Sequence, residues 1–173
     1  MKRKKDFAIW IIPSGEIYEK YHNLIYHLSQ KYSTPMFEPH ITLLGHVIDS
    51  QVGAISKISR LSALTRPFPL RLTSIGYSDE YFRCLFIKIR KSRELAELHS
   101  RAKEIFTLLN KRPFIPHLSL VYGNLSSIIR EKIVSEIGSE FNIEFEVRSL
   151  QLVSASISID PKEWYRVKEF PLT

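Results

Sequence analysis

A five-residue pattern occurs twice in this chain, as Pro39-His40-Ile41-Thr42-Leu43 and as Pro116-His117-Leu118-Ser119-Leu120. The copies lie 117 − 40 = 77 residues apart, and each runs on through apolar residues towards a glycine, Gly45 or Gly123. Pro-His-x-Ser/Thr-Leu arises by chance only about 0.005 times in a chain of this composition, so a second copy points to a repeated structural unit. Strand geometry explains the spacing, because residues i and i+2 project from one face about 6–7 Å apart. His40 and Thr42 are therefore expected side by side, as are His117 and Ser119. Each proline favours an extended residue before it and lacks an N–H, which suits the start of a strand. Two similar β-rich lobes around one shared site is the architecture this echo predicts.

Apolar periodicity fills in the rest. Phe7–Ile12 reads as a short strand. Ser14 is expected to cap a helix with Ile17, Tyr21, Leu24, Ile25 and Leu28 on one face. Ile41–Val47 reads as a strand, and Val52, Ile55, Ile58, Leu61 and Leu64 as a helix stopped before Arg66-Pro67. Leu70–Tyr77 and Tyr81–Arg90 are expected to pair antiparallel. Ser92 opens a helix whose stripe is Leu95, Leu98, Ala102, Ile105, Phe106 and Leu109. Leu118–Tyr122 is a strand, Ser126–Ile137 a helix, and Phe141–Ser158 and Trp164–Phe170 are closing strands. A third His-x-Ser, His27-Leu28-Ser29, falls inside the first helix, where residues two apart diverge, and is given no chemical role. His22, His46 and His99 are expected at surface or satisfied positions.

With 173 residues, 44% of them hydrophobic, the chain is expected to form one domain, residues 1–173, with a core that needs no staples. Lys and Arg exceed Asp and Glu by 25 to 18, and the resulting +7 suggests an anionic partner. A lone cysteine, Cys84, excludes an intrachain disulfide framework and any multi-thiolate metal site. There is no apolar run long enough to cross a membrane. Lys2-Arg3-Lys4-Lys5 resembles the basic start of a signal peptide, but Pro13 cuts short the apolar stretch that follows. A cytoplasmic monomer is expected, with that basic tail as a solvated lead-in to the first strand.

Two imidazoles and two hydroxyls facing one cavity form a chemically specific set. Neutral-range histidines can serve as general base and general acid at the same pH, while hydroxyls donate to phosphate oxygens. A strained cyclic phosphodiester needs a base for water, an acid for the leaving alkoxide, and donors for developing charge. The expected order is water activation by His117 and protonation of the leaving oxygen by His40.

The twin His-x-Thr/Ser motifs resemble the 2H phosphoesterase superfamily. Phe7-Ala8-Ile9-Trp10-Ile11-Ile12-Pro13, Phe37-Glu38-Pro39-His40-Ile41-Thr42-Leu43 and Pro116-His117-Leu118-Ser119-Leu120-Val121-Tyr122-Gly123 are most similar to its plant and yeast cyclic nucleotide phosphodiesterase branch. The resemblance implies an α+β bilobal fold, with antiparallel strands and outer helices around a central cleft. It implies opening of a 2′,3′-cyclic nucleotide or ADP-ribose 1″,2″-cyclic phosphate to a monophosphate, with neither metal nor cofactor. His40 and His117 would form the catalytic pair, with Thr42 and Ser119 as phosphate ligands. Tyr122 lies five after His117, where alternation points it away, but a bulge or strand end at Gly123 would turn it to the substrate. Trp10 would act as a base or ribose platform. Plant members carry disulfide cysteines that this chain lacks, so redox control by an intrachain bridge is not expected.

The nearest rival keeps the site and changes the substrate to an RNA end bearing a 2′,3′-cyclic phosphate, with reverse 2′,5′ ligation. Lys88, Arg90, Lys91 and Arg93 would then track the RNA backbone. A non-catalytic phosphate- or RNA-binding module is a further alternative, disfavoured by the intact motifs. A zinc hydrolase lacks a third ligand at a recognised spacing.

Overall fold

A computed structural model describes residues 4–108 and 113–173. Lys2 and Arg3 of the basic tail, and Leu109 of the expected third-helix stripe, lie outside the described residues. Among the described residues, eight strands form one antiparallel sheet: β1 (Lys4–Ile11), β2 (Ile41–Ser50), β3 (Phe68–Tyr77), β4 (Leu85–Ile89), β5 (His117–Val121), β6 (Glu140–Val147), β7 (Ser149–Ser154) and β8 (Tyr165–Pro171). Four helices accompany them: α1 (Gly15–Tyr32), α2 (Gln51–Ala63), α3 (Arg93–Ile105) and α4 (Ser127–Ile137).

Alternation along β1 sorts the two faces of the sheet. Phe7, Ile9 and Ile11 are fully buried in the main core, which also takes in Tyr21, Ile25 and Leu28 of α1. Ala8 and Trp10 point the other way, into a small cluster with Val153 and Trp164. In α1 the buried residues recur at the spacings of one helical face. Hydroxyls cap three helices as side-chain acceptors, Ser50 for Gly53 N–H, Ser92 for Leu95 N–H and Ser126 for Ile129 N–H. Ser14 occupies the cap of α1 in extended conformation, but its side chain accepts no capping hydrogen bond.

The strand order is β6-β3-β4-β5-β2-β1-β7-β8. The units β1-α1-β2-α2 and β4-α3-β5-α4 correspond to the sequence echo, and β1/β2 and β4/β5 are each neighbours. The next strands cross over. β3 leaves α2 to pair with β4 of the other half, whereas β7 returns to pair with β1. The lobes thus interlock as β6-β3-β4-β5 and β2-β1-β7-β8, joined at β2/β5 through Ile41↔Leu118.

Two expected strands differ. Tyr81–Arg90 begins instead with a 3-10 turn over Tyr81–Arg83, fastened by hydrogen bonds from Arg83 N to Glu80 O and from Ser78 Oγ to Arg83 O, and only Leu85–Ile89 is strand. Phe141–Ser158 divides at Arg148 into β6 and β7, which stand six positions apart in the sheet. In a flat sheet that separation would be close to 30 Å, yet two residues reach at most about 7 Å. The sheet must therefore curl until its distant strands meet at Arg148. Continuous apolar content across the junction hides the break from local periodicity.

Candidate functional site

The curl leaves a cleft of about 370 Å³ on the face opposite the main core. Its position follows from the single β2/β5 pair, Ile41↔Leu118. Continuing that register by one residue sets His40 across from Ser119 and Thr42 across from His117. Directly opposed side chains stand about 5 Å apart and diagonal ones about 7–8 Å. Each motif's imidazole therefore faces the other motif's hydroxyl, with the two histidines on the diagonal. All four residues line the cleft, together with Trp10 and Tyr122.

The two rings are held in the same way. His40 Nδ1 lies 2.6 Å from the Glu38 carbonyl, and His117 Nδ1 lies 2.7 Å from that of Ile115. A carbonyl only accepts, so Nδ1 carries the proton in each ring and Nε2 is the free nitrogen. The acceptor lies two residues back, across the proline, whose fixed φ turns the preceding carbonyl towards the ring. The Pro-His pairing thus orients an imidazole as well as opening a strand.

Beyond this the two histidines diverge. His40 is 5% exposed, and one face of its ring is stacked on Trp10 at a centroid distance of 3.6 Å. Burial pushes its pKa down to about 4, against the pull of the Glu38 carbonyl and with help from His117. His117 is half-buried, edge-to-face with Phe86 at a centroid distance of 5.2 Å. Burial, offset by the Ile115 carbonyl and aided by Arg83, holds it below the ordinary histidine range. Both shifts favour the neutral ring near neutral pH.

Glu38 ties His40 to distant parts of the chain. Its carboxylate accepts from Tyr18 of α1 at 2.8 Å and from Arg166 of β8 through Nε at 2.9 Å and through Nη2. Burial pushes the carboxyl up, but the Arg166 and Tyr18 hydrogen bonds outweigh it and hold Glu38 below the usual carboxylate range. Burial and Glu38 together push Tyr18 up to about 12. The peptide that orients His40 is thus clamped by charge, and Ile115, serving His117, has an apolar side chain instead.

Tyr122 turns inward at the strand end, where Gly123 has φ 144 and donates its N–H to Tyr81 O at 2.9 Å. The phenol oxygen lies 3.4 Å from His40 Nε2, and the ring stacks on Phe37 at 3.7 Å. Burial raises the phenol well above its ordinary pKa, so it remains a proton donor. Ser119 Oγ donates to Phe82 O at 3.3 Å. With one face covered by His40, Trp10 supports the imidazole from below.

Several lining residues were not foreseen from sequence. His46 is exposed beside Asp6 and His99 is stacked on Phe114 at 3.9 Å, the surface and satisfied positions expected of them, and both also line the cleft. Counting by twos from His40 also reaches His46, but the β1/β2 register shifts twice between Thr42 and Val47 and sets Leu44 opposite the buried Ile9, so alternation is not what brings His46 to the cleft. Phe82, Phe114 and Trp164 come from irregular segments, for which periodicity offers no orientation. His27 is exposed on α1 and His22 stacks on Tyr18 at 5.6 Å.

A family model described as cyclic phosphodiesterase-like protein matches residues 6–164. An Arabidopsis thaliana cyclic phosphodiesterase is 23% identical over 124 residues, covering 71% of this chain and 68% of that protein. A Yarrowia lipolytica 2′,3′-cyclic-nucleotide 3′-phosphodiesterase is 22% identical over 139 residues, covering 76% of this chain and 63% of that protein. Among solved structures, a Thermus thermophilus protein superposes with TM-score 0.71 at 17% identity, over 96% of this chain and 97% of its own. Escherichia coli LigT, complexed with 3′-AMP, gives 0.70 at 17% identity over 99% of both chains. Among the described residues no helix is long and apolar enough to cross a membrane. The curled sheet, the paired motifs and the matched family model agree, and this chain belongs to the cyclic phosphodiesterase-like family of 2H phosphoesterase hydrolases.

Proposed function

We propose that the protein hydrolyses a nucleoside 2′,3′-cyclic phosphate, or a comparable ribose cyclic phosphate, to a monophosphate without a metal ion. The observation that carries this reading is the pair of Nε2 atoms offered to one cleft, each ring anchored through Nδ1 to a carbonyl. The 3′-AMP bound to LigT, and the substrate in the Yarrowia relative's name, agree with it in ligand class.

In the proposed reaction His117 Nε2 takes a proton from water as its oxygen attacks phosphorus. One ring P–O bond breaks, and His40 protonates the departing ribose oxygen. Thr42, Ser119 and the Tyr122 phenol donate to the non-bridging oxygens as charge grows on them. Desolvation disfavours the charged His40 ring, so in this order His40 takes up its proton together with the anionic phosphodiester.

The deciding experiment is turnover of adenosine 2′,3′-cyclic phosphate in excess EDTA by wild type, His40→Ala and His117→Ala. Sustained wild-type turnover and a fall of about 10³-fold or more in both variants is expected. Loss of activity on chelation would overturn the metal-free reading, and full activity in either variant would overturn the catalytic pair.

A further inference from the structure

A cleft that takes an anionic phosphodiester is expected to present positive charge to it. Among the described residues lining this cleft, Arg83 is the one lysine or arginine and Glu80 the one carboxylate. The two pair with each other, Arg83 Nη2 donating to Glu80 Oε1 across the 3-10 turn that ends at Arg83. The backbone of that turn is fixed from several sides. Ser78 Oγ donates to Arg83 O, and Arg130 Nη1 of α4 donates to Ser78 O at 2.7 Å. Ser119 Oγ donates to the carbonyl of Phe82, the residue before Arg83, which ties the turn to the second motif. The guanidinium carbon lies 5.8 Å from the ring centroid of Phe86, the same ring that meets His117 edge-to-face.

The side chain is held less firmly than the turn that carries it. The Arg83 side chain is 21% exposed, and among the described residues its Nε is buried with no hydrogen-bond partner. Glu80 is 69% exposed and engages the guanidinium through Nη2 alone. A buried donor left unpaired costs free energy, whereas an exposed carboxylate is screened by solvent and holds its partner weakly. A phosphate offers two oxygens to the planar fork of donors, inside a cleft where charges are less screened than at its rim. It therefore competes with Glu80 on favourable terms. After burial and the Ile115 carbonyl, the Arg83 charge is among the causes that act on His117, which sets the guanidinium within electrostatic reach of that ring.

We propose that Arg83 is a further catalytic residue, whose guanidinium exchanges Glu80 for the non-bridging phosphate oxygens on the His117 side of the cleft. This rests on the cyclic phosphodiesterase reading for the reaction itself. The cyclic phosphodiester carries one negative charge. When water attacks phosphorus and gives its proton to His117, a second negative charge builds on the phosphoryl group until the ring P–O bond breaks and His40 protonates the ribose oxygen. Arg83 acts by charge and hydrogen bonding and transfers no proton. Its pull is greatest while both charges are present, so it lowers the barrier more than it tightens the substrate. Glu80 opposes the exchange, holding the guanidinium until an anion of sufficient charge replaces it.

The test combines turnover of adenosine 2′,3′-cyclic phosphate with isothermal titration of adenosine 2′-monophosphate, in wild type, Arg83→Gln, Glu80→Gln and the double variant. Arg83→Gln should lower kcat about 100-fold while raising KM about threefold or less. Arg83→Lys, which keeps the charge and the stem packed on Phe86, should recover about 10-fold of that loss. Glu80→Gln releases the guanidinium and should tighten monophosphate binding about threefold or more, but by less than about 1.5-fold once Arg83 is glutamine. A kcat for Arg83→Gln within about threefold of wild type overturns the proposal, and so does a Glu80→Gln gain of equal size with and without Arg83. No recovery in Arg83→Lys assigns the loss to packing and overturns it too. Failure of the wild type to turn over cyclic phosphate would instead overturn the catalytic reading, and the coupling of Glu80 to Arg83 in monophosphate binding would still decide whether Arg83 takes phosphate.

Discussion

Replacing His40 by glutamine isolates what burying an imidazole beneath the cleft does to stability. In the folded chain burial lowers the His40 pKa from 6.5 to about 4, while the unfolded chain titrates near 6.5. Between these values the unfolded state holds the extra proton, so stability falls as pH falls through that window. The full difference amounts to about 3 kcal/mol, of which about 2.5 kcal/mol is already lost at pH 4.5. For a chain of this size that is about 5–10 °C in Tm. His117, His99 and the carboxylates also titrate, but they are common to both proteins. The assay is urea unfolding of wild type and His40→Gln at pH 7.5 and pH 4.5. Wild type should lose about 2.5 kcal/mol more than the variant between the two conditions. Parallel losses, agreeing within about 0.5 kcal/mol, would refute the claim that burial holds this ring neutral.

Four other outcomes follow from the same geometry. The pH profile of kcat/KM should have both limbs below about 6.5, because both imidazoles of the free cleft are depressed; the limb assigned to His40 should move upward in kcat, once substrate is bound. Glu38→Gln, which removes the charge facing Arg166, should lower kcat about 10-fold with KM within about threefold, and Arg166→Gln should add little to it in the double variant. Gly76→Ala would set a Cβ 2.5 Å from the Phe86 ring, which abuts His117; a stability loss of about 1–3 kcal/mol by thermal unfolding and reduced turnover are expected. Tyr122→Phe removes the hydroxyl 3.4 Å from His40 Nε2 and should reduce kcat about 10-fold while leaving Tm within a few degrees.

What can be read from sequence here is short-range. The period-two spacing of His40 with Thr42 and of His117 with Ser119 puts each pair on one face of its strand, and the apolar stripes of the helices follow from the three-and-four spacing of residues such as Tyr21, Ile25 and Leu28. Alternation says which side a residue takes, but not what lies opposite. The pairing Ile41↔Leu118, which sets His40 against Ser119, depends on two interlocked lobes and on strands exchanged between them. The division of Phe141–Ser158 at Arg148 is equally non-local, since both parts have strand periodicity and only the curl of the sheet separates them. His46 reaches the cleft through the twice-shifted β1/β2 register, which also sets it beside Asp6, and alternation does not encode such a shift. The clamp on His40 joins Glu38 to Arg166, 128 residues away, and no local pattern encodes such a contact. Local pattern thus supplies the chemical groups and, within each motif, the face they occupy. Tertiary structure alone decided their partners, their burial and therefore their protonation, because desolvation and cross-strand register are properties of the assembled sheet.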